Sequence, residues 1–349
     1  MNGGVGKKRI EIENMADHKT GLKFSVGYQL PDPYEFSEIT RRFAAQIEEV
    51  YFPWLGIPDG RGVSIVSKED QTQMIRELTE ICHMGIKLNM LWNANCYGGK
   101  AISVELEQKI VKGVEYLLTH CQLHAITSTS LFIAEVIKKY FPQLEVRASV
   151  NMGIGSISGM KYVKDYFDSF YFQRELNRFP AKIKQLRSWC DANGKKLFML
   201  ANSGCLKNCS AHTFHDNLVS HEYELGKQPN SWHGFHGICW DYYSNQKNHG
   251  SFLSDSTWVR PEDIDTYIGL VDGVKLATRS HRNPETVIAS YAQRHFAGNM
   301  LALCEPDFSG MCFIDNTLFP DTWALTIAQL SEDEYERYCL EIFNSIKIN

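Results

Sequence analysis

A chain of 349 residues with 44% hydrophobic composition has room for one large single-core domain or two small ones, and undivided α/β barrels often reach this size. Its formal net charge of -5 comes from 36 basic and 41 acidic side chains mixed along the sequence. That mixture argues against an extended nucleic-acid groove and an acidic disordered tail, and leaves room for a small basic pocket. Residues 1–17 are polar and lack a signal-peptide core, and no run reaches the roughly 18 apolar residues of a spanning helix, so the expectation is a soluble, cytoplasmic protein without a membrane span.

In chain order, apolar or β-branched runs at 23–29, 49–54, 86–92, 124–128, 145–150, 169–172, 196–201 and 273–277 read as strands. Segments 71–84, 104–120, 131–140, 160–166 and 181–193 between them carry apolar residues at three- and four-residue spacing and read as helices. Strands alternating with helices imply parallel pairing through crossovers. Eight such units suit a closed barrel better than an open doubly wound sheet, and the first strand runs into Leu30-Pro31-Asp32-Pro33 rather than a glycine-rich phosphate turn. The expected fold is therefore an α/β (β/α)8 TIM-type barrel over 21–299, after a polar segment 1–20 and before a C-terminal extension 300–349. A long loop, about 203–258, follows strand seven and suggests a lid or a cluster-binding insertion.

In a barrel, chemistry gathers at the C-terminal ends of the strands. Strand seven ends in Asn202-Ser203-Gly204-Cys205, with Cys209 four residues on and Cys239 further along the loop. A local cysteine pair in a reducing compartment points to metal or catalysis more than to a disulfide. Three or four thiolates select an iron–sulfur cluster or zinc, and a single close pair with dispersed partners favours the cluster; the alternative is no metal. The preferred fourth ligand is Cys96, just past strand three, with Cys312 next and then Cys304. Cys82, Cys121 and Cys190 read as small buried hydrophobes, and Cys339 is set aside. His212, His215, His221, His233 and His236 lie near the cysteines as ligands, proton shuttles or plain solvated loop residues. Arg174 and Glu175 end strand six, and Lys275 with Arg279 ends strand eight; these groups either grip an anionic or polar substrate or form an ion pair across the barrel mouth.

Five motifs stand in order: Arg174-Glu175-Leu176, Gly204-Cys205 with Cys209, Cys239, Arg260-Pro261-Glu262-Asp263, and Lys275-Leu276-Ala277-Thr278-Arg279. On these, the chain resembles the collagenase-like peptidase family U-32 over about 23–300. It departs from the family in a closer cysteine pair and in Ala277 where a Glu is usual. The resemblance implies a TIM-type barrel with a cysteine-bound cluster, [4Fe–4S] in kind, and relatives that look like proteins of oxygen-independent hydroxylation, some working with a second subunit of the same family. Classical proteolysis is not expected, because no Ser/His/Asp set and no His-Glu-x-x-His helix is legible. The expected site has Glu175, Lys275 and Arg279 as catalytic groups, Asn93 and Arg174 binding a small-molecule or modified-polymer substrate, and Cys96, Cys205, Cys209 and Cys239 on the cluster. The alternatives are a metal-stabilised partner subunit without catalysis, or a zinc-dependent hydrolase.

Overall fold

The computed structural model describes residues 21–32, 34–228 and 237–348; the segment 1–20, with His233 and His236, lies outside them. Eight strands, β1 (Phe24–Gly27), β2 (Ile47–Phe52), β3 (Lys87–Trp92), β4 (Leu123–Ser128), β5 (Glu145–Ala148), β6 (Ser169–Tyr171), β7 (Lys196–Leu200) and β8 (Gly273–Leu276), pair in parallel and close into a barrel. Closure runs between β1 and β8, with Phe24 opposite Val274 and Val26 opposite Leu276. Helices α1 (Phe36–Arg42), α2 (Lys68–His83), α3 (Val104–His120), α4 (Leu131–Tyr140), α5 (Ile157–Val163) and α6 (Pro180–Ala192) form the crossovers. Four of them start at a serine N-cap: Ser67, Ser103, Ser130 and Ser156 each accept a backbone N–H of the first turn. Proline opens α6, where its missing N–H costs nothing.

Alternation along each strand sorts the barrel into an apolar outside and a polar inside. Outward residues such as Phe24, Val50, Met90, Val146, Phe170 and Met199 are buried beneath the helices. Inward positions carry Ser25, Glu49, Asn89, Thr127, Arg147 and Ser169, all buried, where such barrels more often stack branched aliphatics. These charges compensate one another. Glu49 accepts from Ser25 Oγ at 2.7 Å, Asn89 Nδ2 at 2.9 Å and Arg147 Nη1 at 2.9 Å, and Arg147 also donates to Glu145 at 2.8 Å while lying 3.9 Å over the Phe198 ring.

The long connection after β7 is built rather than open: it contains α7 (His212–Leu225), α8 (Ile238–Ser244) and α9 (Ser251–Ser254). Arg178 holds it, donating to Trp258 O at 3.1 Å and to Tyr335 Oη at 2.7 Å while stacking on the Trp258 ring. After β8, α10 (Pro284–Gln293) carries the chain away, and the extension then returns along the end of β7. Asn202 is the latch: its Nδ2 donates to Ala277 O at 3.1 Å and Leu303 O at 2.9 Å. A Cβ on Gly204 would sit 2.6 Å from Pro306 O, so only glycine allows the returning segment this close. The extension ends in α11 (Trp323–Ile327) and α12 (Glu332–Ile346), with a short antiparallel pair of β9 (Phe313–Ile314) and β10 (Lys347–Ile348). Among the described residues, no helix is long and apolar enough to cross a membrane.

Candidate functional site

Two adjoining cavities open at the C-terminal face. The barrel mouth, about 80 Å³, is lined by Tyr51, Arg61, Asn93, Lys275 and Arg279 among others. Beside it lies a cavity of about 350 Å³ lined by Glu175, Cys209, Ile238, Cys239 and Asp241. Arg174, Cys205, His212 and His215 line both. The first turns of α7 thus form a wall between a basic mouth and a thiol-lined chamber.

The mouth is more basic than its ion pairs require. Arg279 is spent: it forms a two-pronged pair with Asp59, which is 0% exposed and also accepts the Arg61 N–H at 2.8 Å. Arg61 reaches Glu305 at 3.4 Å, a carboxylate delivered by the returning extension. Arg174 has no carboxylate partner among the described residues; it donates to Ser203 Oγ at 3.3 Å and to His212 Nε2 at 2.7 Å. Burial, then the adjacent Arg174 charge, holds the His212 imidazole below its usual pKa, in keeping with a neutral ring accepting from the guanidinium. Lys275 projects from β8 with its Nζ 4.0 Å from the Tyr51 ring centroid and 5.6 Å from that of Tyr171. Burial, then the charge of Arg279, pulls its amine down to about 7.

The residues singled out in the sequence separate into groups. Asn93, Arg174, Lys275 and Arg279 meet in the mouth. Asn93 has a local task there, accepting the Gly60 N–H at 3.2 Å and donating to Ser149 Oγ at 3.3 Å. Glu175 faces the thiol chamber instead. Cys205, Cys209 and Cys239 surround that chamber, and burial, followed by the neighbouring Cys205, pushes the Cys239 thiol up to about 12. Cys96 does not join them. It lines a separate cavity of about 310 Å³ with Lys100, His221 and Glu224, because α7 docks on the loop after β3: Ser220 Oγ accepts the Asn95 N–H at 3.1 Å and Asp216 accepts from Asn95 Nδ2 at 3.2 Å. Cys304 is buried behind Gly204, near Cys205, and Cys312 packs toward Lys347. Among the described residues, no three His, Cys, Asp or Glu side chains are close enough together to hold a metal ion.

Sequence reading missed Asp59, Arg61, Asp216 and Glu305. The run Pro58-Asp59-Gly60-Arg61-Gly62 does carry a signal, a charged, glycine-flanked turn in the loop between β2 and α2. It also missed a surface constellation. The Cys96 thiol accepts the Gly98 N–H at 3.3 Å, and His221 Nδ1 lies 3.3 Å from Glu224. Hydrogen bonding to His221, then to Gly98, lowers the Cys96 pKa, and the same contact raises that of His221.

These features define a (β/α)8-barrel protein with its candidate site at the C-terminal mouth, walled by an insertion after β7. No family model matches the chain. It is 23% identical over 290 residues to the "Uncharacterized protease MJ1657" of Methanocaldococcus jannaschii, a match spanning 80% of this chain and 82% of that protein. The structure of the U32 peptidase Mk0906 shares the fold, with a TM-score of 0.51 and 12% identity over 76% of this chain and 96% of that one. The chain is thus similar in sequence to a protein named as a protease and in fold to a U32 peptidase.

Proposed function

We propose that the chain is a redox enzyme that binds a small anionic substrate in the barrel mouth and an iron–sulfur cluster in the adjoining chamber. The carrying observation is the shared wall: Arg174, Cys205, His212 and His215 border both spaces. The donor chemistry suits a cluster, since Cys205, Cys209 and Cys239 are soft ligands lining one chamber. When bound, the cluster would supply one-electron transfer, with hydroxylation as the reaction class that the family resemblance suggests. The chain's own residues do the rest. Arg174 offers a guanidinium with no carboxylate partner among the described residues, Asn93 fixes the Gly60 turn, and Lys275 presents an amine that is partly neutral near pH 7. Tyr51 and Tyr171 wall the amine from water. The test is protein purified without oxygen, its visible spectrum, and its iron and sulfide content. Cys205→Ser, Cys209→Ser and Cys239→Ser are each expected to lose the chromophore and Cys96→Ser to keep it; protein with no iron, or unchanged iron in Cys239→Ser, refutes the reading.

A second reading, a thiol hydrolase in line with the relatives' protease and peptidase names, is favoured by the Cys96, His221 and Glu224 arrangement. The Glu224 side chain is 77% exposed, so it orients His221 weakly, which is why this reading stands second. Peptide hydrolysis abolished by Cys96→Ala and by His221→Ala would establish it, and hydrolysis unaffected by both would remove it.

A further inference from the structure

Lys275 occupies an environment that neither a structural lysine nor a cluster requires. Its Nζ forms no hydrogen bond or ion pair among the described residues and faces the Tyr51 ring at 4.0 Å. The charged groups facing it are Arg279, Glu49, Arg61 and Asp59. Asp59 is already committed to Arg279, and Glu49 to Arg147. A protonated Lys275 therefore adds an unbalanced charge to a mouth that also holds Arg174, which has no carboxylate partner among the described residues. A buried amine beside other cations is the setting in which lysine becomes a nucleophile.

We propose that Lys275 condenses with the carbonyl carbon of a small carboxylate-bearing substrate, a 2-oxo acid in chemical class, whose carboxylate is held by Arg174. The amine lone pair forms the C–N bond while the carbonyl π pair moves to oxygen, giving a carbinolamine. The C–O bond then breaks, the oxygen leaves as water, and one proton is taken up from solvent to leave an iminium ion. Nothing is oxidised or reduced. The charge argument selects the substrate: the iminium brings its own carboxylate, so the mouth gains no net charge, whereas an ammonium would add one. Burial keeps part of the amine neutral near pH 7, as the step requires. A cavity of about 80 Å³ holds several waters or a substrate of a few heavy atoms.

This inference rests on the mouth being the substrate site and makes no use of a cluster, so the two can fail separately. The full chain is incubated at pH 7 with glyoxylate and cyanoborohydride, and the adduct is located by peptide mass mapping, with propionaldehyde as the neutral comparison and iron content measured in parallel. Preferential labelling of Lys275 is expected, at least tenfold faster with glyoxylate than with propionaldehyde. Arg174→Gln is expected to remove that preference while retaining the fold by circular dichroism, and Lys275→Met to remove the adduct. Labelling spread over surface lysines without Lys275, or labelling of Lys275 with no preference for the carboxylate, overturns the proposal, whatever the iron content.

Discussion

Replacing Arg279 by Gln tests the electrostatic logic of the mouth at its most buried point. Asp59 is 0% exposed and takes both prongs of the Arg279 guanidinium. Removing one partner of a buried pair costs about 3–5 kcal/mol because the remaining charge is left uncompensated. Asp59 keeps the Arg61 N–H at 2.8 Å, and Gln restores one amide donor, so the cost should fall at the lower end, about 3 kcal/mol. With an unfolding entropy of roughly 2 cal/mol/K per residue, the 349-residue chain should lose about 4 °C in Tm. A second readout is independent of stability. Arg279 is the main charge holding down the Lys275 amine, so the pH midpoint for amine labelling of Lys275 should rise above about 7. Urea unfolding and competitive acetylation across pH measure the two, and adding Asp59→Asn should recover most of the stability. A loss below about 1 kcal/mol, no recovery in the double variant, or an unmoved labelling midpoint would refute the argument.

Lys275→Met should be more stable than the parent at pH 7, the gain shrinking toward pH 10.5. The folded pKa of Lys275 is lowered from 10.5 to about 7, so in that window the unfolded chain binds more protons and parent stability rises with pH; urea midpoints at pH 7 and 10 check it. Arg147→Met should cost about 3–5 kcal/mol by stranding Glu49, and Glu49→Gln on the same background should return part of it in urea titrations. That network also sets an acid limit. Burial alone would raise the Glu145 pKa, but Arg147, with hydrogen bonds from Lys196 and Ser169, brings it from 4.5 to about 2. Its stabilisation is therefore present above pH 4.5 and lost as pH falls toward 2, and a stability profile without that loss would contradict the pairing. Gly204→Ala should push the extension off β7 at about 1–3 kcal/mol, because its Cβ would lie 2.6 Å from Pro306 O; an unchanged unfolding midpoint would count against the latch.

The barrel was legible because its two periodicities are clean. All eight runs that read as strands are strands of the closed barrel, and α3 and α4 occupy the segments whose apolar spacing announces them. The interior was harder to read. Glu145-Val146-Arg147-Ala148 looks like an ordinary mixed strand, and nothing local shows that Arg147 pairs with Glu49 across the barrel. α7 was hidden for a physical reason: of its fourteen residues only Ser220 is buried, so it has no apolar stripe, and its docking rests on polar contacts to Asn95. That same helix separates Cys96 from the other thiols, a relation between distant segments that cysteine spacing cannot reveal. Glu305 belongs to the same class, since it reaches the mouth only because Asn202 and Gly204 draw the extension back.

Charge compensation changes sign of purpose along the barrel axis. Toward the N-terminal ends of the strands, the acids and bases of the interior are matched: Glu49 and Glu145 share Arg147, and Lys196 closes on Glu145 at 2.6 Å. Such a layer holds charge without inviting a ligand, because each group already has its counter-ion and its hydrogen bonds. Toward the C-terminal ends, matching stops one step short. Asp59 and Glu305 answer Arg279 and Arg61 and Asp216 lies 3.2 Å from His212 Nε2, while Arg174 and Lys275 face the cavity with no carboxylate partner among the described residues. If stability alone had shaped this face, an apolar pair at those two positions would serve better than two desolvated bases. That deficit of negative charge is what the proposed anion would fill, and it sits where the basic mouth and the thiol chamber share a wall.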